Sequence, residues 1–542
     1  MTKPLSDLLS SLTSHGVAYS ITSTLKDASV ASLEFDSRAV TRGALFFALP
    51  GTHADGTAFI EQAVERGAVA VVYQGELPSD VLACHGGTVA FVQVASSRFA
   101  MSPVSAAFYD NPSGKLVVFG VTGTEGKSST VSFIWQLLQK AGHKAGFIST
   151  VQYSLGDEAI DNSEHQTTPE APIVQRRLWQ MVQNGCTHAV VEASSHGLSR
   201  RTNRLGDVLF DCAVFMNVKT EHLEFHGDFD TYKNDKANLF RLLDTHSHEK
   251  TIAGKRQVVP SCALVNLEDK EAAFFASCTK SHVTGFTSFG WAAPSPEPLP
   301  PIPTSIEAYY CRAIVSDAGG ISFILQKTGQ ESLPVCALVP GTFNALNVTA
   351  ALLAVNQMTG ESLEDLIAFA RNLVGVKGRM TRIDEGQSFE VIVDYAHTPS
   401  SFEAIFPAIK ARCKGRMICV FGSAGERDSV KRPMQGEVAG HWCDVVILTD
   451  EDPRGEDSEA IMRQIAVGAT NSGKVEGEDL FLIASRPAAI RRAFDMAGAG
   501  DVVMLLGKSH ENSIICADGA HPYDEISEAH KALQELLEAH KA

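Results

Sequence analysis

No two of the eleven cysteines in this 542-residue chain stand in a Cys-x-x-Cys pair. That absence removes the common zinc-ribbon and thioredoxin-type signatures. The thiols are scattered, and several lie inside apolar runs, as at Cys212 and Cys419, which predicts buried free thiols in a reducing compartment. Long hydrophobic runs are missing too: no segment reaches about eighteen uninterrupted apolar residues, and the stretch from Met1 to Asp7 lacks the core of a signal peptide. A cytoplasmic protein without membrane insertion is expected. Positive charge is scarce, with 46 Lys and Arg against 63 Asp and Glu for a net charge of −17. Such a balance argues against general affinity for nucleic acid or anionic membranes. It leaves room for local anionic ligands, which a few cations and helix N-termini can hold. No internal repeat is visible. The remaining composition, 44% hydrophobic and 20% charged, is that of a globular protein, and the length suggests three domains.

The most informative stretch is Leu116-Val-Val-Phe-Gly-Val-Thr-Gly-Thr-Glu-Gly-Lys-Ser-Ser-Thr130. An apolar strand, Leu116 to Phe119, leads into a loop carrying Gly120, Gly123 and Gly126. Lys127 and Ser128 then open a helix whose Val131, Ile134, Trp135 and Leu138 recur at helical spacing. Strand, glycine loop and helix N-terminus together make a phosphate cradle: glycines admit backbone N–H groups to the anion, Lys127 neutralises a phosphate, and Ser128 can reach Mg²⁺. Five residues separate Gly120 from Gly126, one more than in the standard P-loop.

The chain divides into three α/β segments. Residues 1–104 hold short strand-like runs (Ala44 to Leu49, Val69 to Tyr73, Val89 to Val94), and the chain is expected to pass near Ser102-Pro103 into the nucleotide-binding segment, 105–375. There strands alternate with helices, as a mostly parallel sheet requires, and a proline-rich tract from Pro294 to Pro303 reads as an exposed loop. A third series, 376–542, has strands at Phe389–Val393, Met417–Phe421, Val445–Leu448 and Val502–Leu506, with a helix marked by Phe402, Ile405, Phe406 and Ile409. It should form an open Rossmann-like sheet binding ligands at the carboxyl ends of its strands. Asp394, Ser423 to Asp428, Thr449 to Arg454 and Gly507 to Glu511 all follow strands at that edge. Glu192 ends the apolar run His188-Ala-Val-Val-Glu. An acid there after a P-loop usually serves Mg²⁺, and otherwise caps the next helix. His222 and Lys236, taken singly, would mark only a loop and a helix surface.

Taken in order, these blocks are similar to the motif set of the Mur ligase superfamily, ATP-dependent ligases that join amino acids to a carboxylate. The blocks are Thr-Gly-Thr-x-Gly-Lys-Ser, Glu192-Ala-Ser-Ser-His196, Asn217…His222-Leu-x-x-His-Gly, Tyr232-x-x-x-Lys236-x-x-Leu-Phe, Gly341-Thr-Phe-Asn-Ala-Leu-Asn347, Gly378-Arg379-Met and Asp394-Tyr-Ala-His397. The collinear resemblance covers nearly the whole chain. It implies a three-domain fold with a UDP-substrate-binding N-terminal domain, a central P-loop domain and a Rossmann-like C-terminal domain that binds the amino acid. Asp36-Ser37-Arg38, Gln166-Thr167-Thr168-Pro169, Gly422 to Asp428, Glu451-Asp-Pro-Arg454 and Gly507-Lys-Ser-His-Glu511 point to the branch that adds the third amino acid to UDP-N-acetylmuramoyl-dipeptide.

By the same resemblance Gly123, Thr124, Glu125, Gly126, Lys127, Ser128 and Ser129 should cradle ATP, with Asn347, Arg379, Asp394 and His397 also on the nucleotide side. Ser128, Glu192, His222 and a carbamate formed from CO₂ on Lys236 should hold two Mg²⁺ ions. Lys127, Lys236, Glu192 and His222 form the expected catalytic set. Phe35, Ser37, Thr52, His53, Ala54, Gln166, Thr167, Thr168, Ser194 and Arg204 should meet the UDP-substrate, Arg200 and Arg201 competing for Arg204's place. Arg427, Glu451, Asp452, Pro453, Arg454, Gly507 and Glu511 should hold the incoming diamino acid. The expected product forms through an acyl phosphate at the D-glutamate γ-carboxylate, in peptidoglycan precursor synthesis by a monomer.

Departures from the family pattern matter. Glu125 stands where Asn or Lys is usual, a charge unfavourable beside triphosphate unless it faces solvent or Mg²⁺. Diaminopimelate members carry Asp-Asn-Pro-Arg, and here Asp452 adds negative charge next to Arg454. Arg454's planar fork suits a distal carboxylate, so diaminopimelate is favoured, while Asp452 suits lysine or ornithine. A folylpolyglutamate synthase-like ligase and a regulatory relative without ligase chemistry are the rival readings.

Overall fold

The computed structural model describes residues 1–51, 55–162, 164, 166–219, 221, 223–288, 306–317, 319–327 and 329–539. Expected site residues Thr52, His53, Ala54 and His222 lie outside that set, as does the proline-rich tract.

Three sheets carry the architecture. The first has strands Ala44–Phe47, Ala70–Tyr73 and Ala90–Val94 running parallel at its centre. Helix Ser97–Phe108 packs on it through Ala100, Met101, Val104 and Phe108. The sequence placed a passage between segments at Ser102-Pro103; instead Pro103 sits inside this helix, whose apolar face holds it together.

The central sheet has eleven strands among the described residues. Its middle is parallel: Ala145–Ile148, His188–Glu192, Val117–Thr122, Cys212–Phe215 and Cys262–Asn266 lie side by side. Buried on both faces, these strands read as the near-continuous apolar runs that helices covering a sheet require. Both edges of the sheet are antiparallel additions. Gly120, placed in the loop from sequence, belongs to strand Val117–Thr122. A Cβ there would press on Leu239 and come within 2.9 Å of the Phe210 ring, so its glycine serves packing, not phosphate approach.

The third sheet orders strands Thr381–Ile383, Glu390–Asp394, Val502–Leu506, Met417–Phe421, Val445–Leu448 and Leu480–Leu482, all parallel except the first pair. Helix Pro399–Arg412 begins at a Thr398 cap and buries Phe402, Ile405, Phe406 and Ile409.

Candidate active site

One cavity of about 590 Å³ collects the carboxyl ends of the central and third sheets. The parallel register sets Glu192 opposite Val121, so the acid ends its strand beside the glycine loop. Gly126 opens helix Lys127–Lys140 with φ +80°, and a Cβ at Gly126 would meet Asn347 Oδ1 at 2.7 Å. This glycine meets both demands of the cradle, left-handed backbone and close approach. Asn217 holds the loop: its Oδ1 accepts from the Thr124 and Glu125 amides at 3.1 and 2.9 Å, and its Nδ2 donates to Glu125 O at 3.2 Å. Asn217 was in a quoted motif but had no role assigned, because pairing across 92 residues is invisible locally.

Glu192 is 1% exposed and fully engaged. Ser128 donates to Oε1 at 3.1 Å, the Thr150 amide and hydroxyl donate at 3.0 Å each, and Ser149 donates to Oε2. Ser149 and Thr150 were missed, although a Ser-Thr pair directly after an apolar run was a usable signal. Lys236 is 2% exposed, donates to Gly123 O at 2.6 Å and lies 4.6 Å from the Tyr232 ring centre. Burial first, then the charge of Lys127, drives its amine well below the ordinary lysine range. Lys127 itself donates to Thr124 O at 2.8 Å.

Glu125 lines the cavity and is partly exposed there. Its carboxylate accepts from Ser400 at 3.2 Å, at the amino end of helix Pro399–Arg412, so it joins the central and third sheets. Burial raises its carboxyl above the ordinary range.

Arg379 lies 4.6 Å over the Tyr395 ring and lines the cavity. Asp394 accepts from the Met380 amide and the Ala396 amide, 2.8 Å each, and burial raises its carboxyl. It shapes the turn that presents Arg379, where Met380 adopts φ +52°. His397 Nε2 stands 3.5 Å from Glu221, and Lys431 and Gln435 donate to its carbonyl. Asn347 donates to Asn344 Oδ1 at 2.8 Å.

Gln166, Thr167, Thr168, Ser194 and Arg204 line the same cavity. Thr168 spends its hydroxyl on Glu192 O at 2.8 Å and accepts from Ser194, a support for the strand end. Of the three competing arginines Arg204 reaches the cavity, donating to Thr168 O and Glu170 Oε1 at 2.8 Å each. Arg201 instead stacks on Phe225 and donates to its carbonyl. Phe35 and Ser37 do not line the cavity; the Ser37 hydroxyl donates to Gln62 at 2.6 Å.

Arg427, Glu451, Asp452, Arg454 and Glu511 converge at the far end. The sequence set the Asp452 charge against Arg454. The structure gives that carboxylate to Lys508 Nζ at 2.6 Å and the Ile515 amide at 2.9 Å. Lys508, 1% exposed, also reaches Glu511 at 2.9 Å. The quoted Gly-Lys-Ser-His-Glu block contained Lys508, yet only tertiary packing shows what it neutralises. Among the described residues Arg454 Nε and Glu451 Oε2 are buried without hydrogen-bond partners. Gly507 has φ +89°, and a Cβ there would meet Glu451 Oε2 at 2.8 Å. Pro453 carries Arg454 into φ +54°, where its amide bonds Ile515 O at 2.9 Å.

A phosphate-binding loop facing cation-lined acceptor loops across one cavity is the arrangement of an ATP-dependent carboxylate–amine ligase. Family models agree: residues 121–355 match the Mur ligase middle domain, 378–509 the Mur ligase glutamate ligase domain, and 29–109 the Mur ligase family catalytic domain. The chain is 49% identical over 520 residues to a UDP-N-acetylmuramyl-tripeptide synthetase of Treponema denticola, covering 93% of each. It is 35% identical over 506 residues to a UDP-N-acetylmuramoyl-L-alanyl-D-glutamate--2,6-diaminopimelate ligase of Geobacillus kaustophilus, covering 93% of this chain and 95% of that one. A solved structure of a ligase with that second name aligns with TM-score 0.58 at 26% identity, covering 94% of this chain and 95% of the other. The chain belongs to the Mur ligase family. No helix among the described residues is long and apolar enough to cross a membrane.

Proposed function

We propose that this ligase adds a diamino acid, with diaminopimelate favoured, to the D-glutamate γ-carboxylate of UDP-N-acetylmuramoyl-L-alanyl-D-glutamate. The observation that carries the reading is the single cavity in which the nucleotide loop, Arg204 and the three acceptor loops meet. Lys127 and the loop amides neutralise and orient the ATP phosphates while the γ-carboxylate attacks the γ-phosphorus, the β–γ bond breaks with ADP as leaving group, and an acyl phosphate forms. Arg379, held over Tyr395, lies on the nucleotide side. The α-amine of the acceptor then displaces phosphate. Positioning and charge neutralisation supply most of the rate.

The oxygen-rich set of Ser128 and Glu192 fits a hard cation. Mg²⁺ bound there, with His222 and a Lys236 carbamate completing the set, would neutralise charge on the transferring phosphoryl group. The neutral amine is the form of a lysine that adds CO₂, and burial shifts Lys236 toward that form. Phe35, Ser37 and residues 52–54 are assigned to the uridine nucleotide. This division gives residues 1–104, 105–375 and 376–542 the UDP-substrate, the nucleotide and the amino acid.

The acceptor follows from charge. With Asp452 satisfied by Lys508, Arg427 and Arg454 remain for two carboxylates, and Glu451, with the Glu511 oxygen not facing Lys508, for a distal ammonium, which matches diaminopimelate. A second reading, lysine or ornithine, draws on the excess of acids about Lys508, where Asp452 and Glu511 share one buried ammonium and Glu451 Oε2 has no partner. Phosphate release that requires both UDP-muramoyl-dipeptide and an amino acid, screened over the three acceptors, tests the assignment. Arg454→Ala should weaken diaminopimelate use by about 2–5 kcal/mol in kcat/KM and barely change lysine use. An equal effect on both would remove Arg454 from the distal carboxylate.

A further inference from the structure

We propose that Asp211, His246 and His248 form a site for one zinc ion, outside the ligase centre and at the opposite edge of the central sheet. Asp211 directly precedes strand Cys212–Phe215, at the amino ends of the parallel strands whose carboxyl ends carry the nucleotide loop. Their donor atoms lie within 4.8 Å of one another.

The two oxygens of Asp211 are treated differently. Oδ2 accepts from the Val118 amide at 2.9 Å and from Lys250. Oδ1 faces the two imidazoles, His248 Nδ1 at 2.9 Å and His246 Nε2 at 3.6 Å. Two ligands on a tetrahedral zinc with bonds of about 2.0–2.1 Å stand about 3.3 Å apart, a spacing these two distances bracket. His248 Nε2 lies 2.9 Å from Leu243 O. A backbone carbonyl on one ring nitrogen fixes the tautomer and aims the other at a metal. His248 is held in this pose at φ +55°, a conformation only a few non-glycine residues adopt.

His246 is the second, independent sign. Among the described residues both its ring nitrogens are buried without a hydrogen-bond partner, a condition that calls for an explanation in a folded protein. A cation between the rings supplies one. On binding, zinc would replace the proton shared by His248 Nδ1 and Asp211 Oδ1, releasing it to water. His246 would offer Nε2 and keep its proton on Nδ1. The side chains of His246 and His248 keep 11% and 14% exposure, enough for a water as fourth ligand. Lys250, which also donates to Leu116 O at 2.9 Å and Leu209 O at 2.6 Å, puts positive charge behind Oδ2. That charge disfavours a hard cation held by charge alone and selects one held through imidazole nitrogen.

The test uses the full chain, stripped with chelator and then dialysed against Zn²⁺ or Co²⁺ with excess Mg²⁺ to occupy the ligase centre. Wild type should bind one Zn²⁺ per chain at this site, gain Tm on binding, and show visible Co²⁺ bands. His246→Ala, which removes a ring that makes no hydrogen bond but packs 4.2 Å from the His248 ring, should stay close to wild type in Tm after chelation and match it in ligase turnover with Mg²⁺ as the only added metal. Its Zn²⁺ affinity should then fall about tenfold or more, with no Tm response. Cys516→Ser, which dismantles the exposed Cys516–Asp518–His521 group, should leave binding intact. Equal Zn²⁺ binding by wild type and His246→Ala, or none by wild type, overturns the proposal and leaves Asp211 as a charge-pairing residue only.

Discussion

The surroundings of Lys127 and Lys236 separate their roles. Lys127 is part-buried at the mouth of the loop, where it donates to Thr124 O. Lys127→Ala should lower ATP-dependent phosphate release by about 10²- to 10³-fold or more, the scale on which one lost charge-stabilising donor acts. Lys236 is enclosed. Lys236→Ala should be inactive and partly recover with a short carboxylic acid in solution, and recovery is read from turnover against acid concentration. Glu125 gives a pH test. Its carboxyl is raised in the folded chain, so the folded state binds more protons than the unfolded one and stability falls as pH rises above the ordinary carboxylate range. Glu125→Gln keeps a partner for Ser400. Its Tm should exceed wild type at pH 7, and the difference should vanish as pH falls to about 4.

At the scale of elements, strand Val117–Thr122 depends on Gly120. Gly120→Ala forces a methyl against Leu239 and the Phe210 ring, an overpacking cost of about 1–3 kcal/mol. The denaturant midpoint should drop while the ATP KM stays near wild type, since this glycine does not line the cavity. The acceptor loops depend on strand Ser513–Cys516 in a similar way. Ile515 gives its amide to Asp452 and its carbonyl to Arg454, and Ser513 O takes Lys508. Loops that look independent along the chain are thus fixed by one short strand.

Across the whole molecule, polar contacts tie the three sheets together, some of them at the cavity and others away from it, such as His15–Asp207 at 2.6 Å. Glu170 accepts from Arg98 of the first unit at 3.3 Å and from Arg204 at 2.8 Å. Glu170→Ala should cost about 1–3 kcal/mol by leaving two half-buried arginines without their shared acceptor. It should also raise the KM for the UDP-substrate more than that for ATP, because Arg204 loses its anchor. Glu125–Ser400 and Glu221–His397 bridge the central and third sheets beside the nucleotide loop. Ligands held between units of this kind couple binding to closure.

The sequence by itself determined the phosphate loop, the central parallel strands and the three carboxyl-edge loops of the third sheet. Each is written in contiguous residues: glycines before Lys127, apolar runs such as Val445–Leu448, and polar residues just after them. Strand ends such as Glu192 were legible for the same reason. Only the tertiary structure decided which partner each charge takes. Asp452 is two residues from Arg454 in the chain and yet pairs with Lys508, 56 residues away. Gly120 looked like a loop glycine until Leu239 and Phe210 closed on it, and Glu125 found Ser400 across 275 residues. Local pattern fixes backbone periodicity because that depends on near neighbours. Charge pairing and close packing depend on what the fold brings within a few ångströms, and no window of sequence contains that.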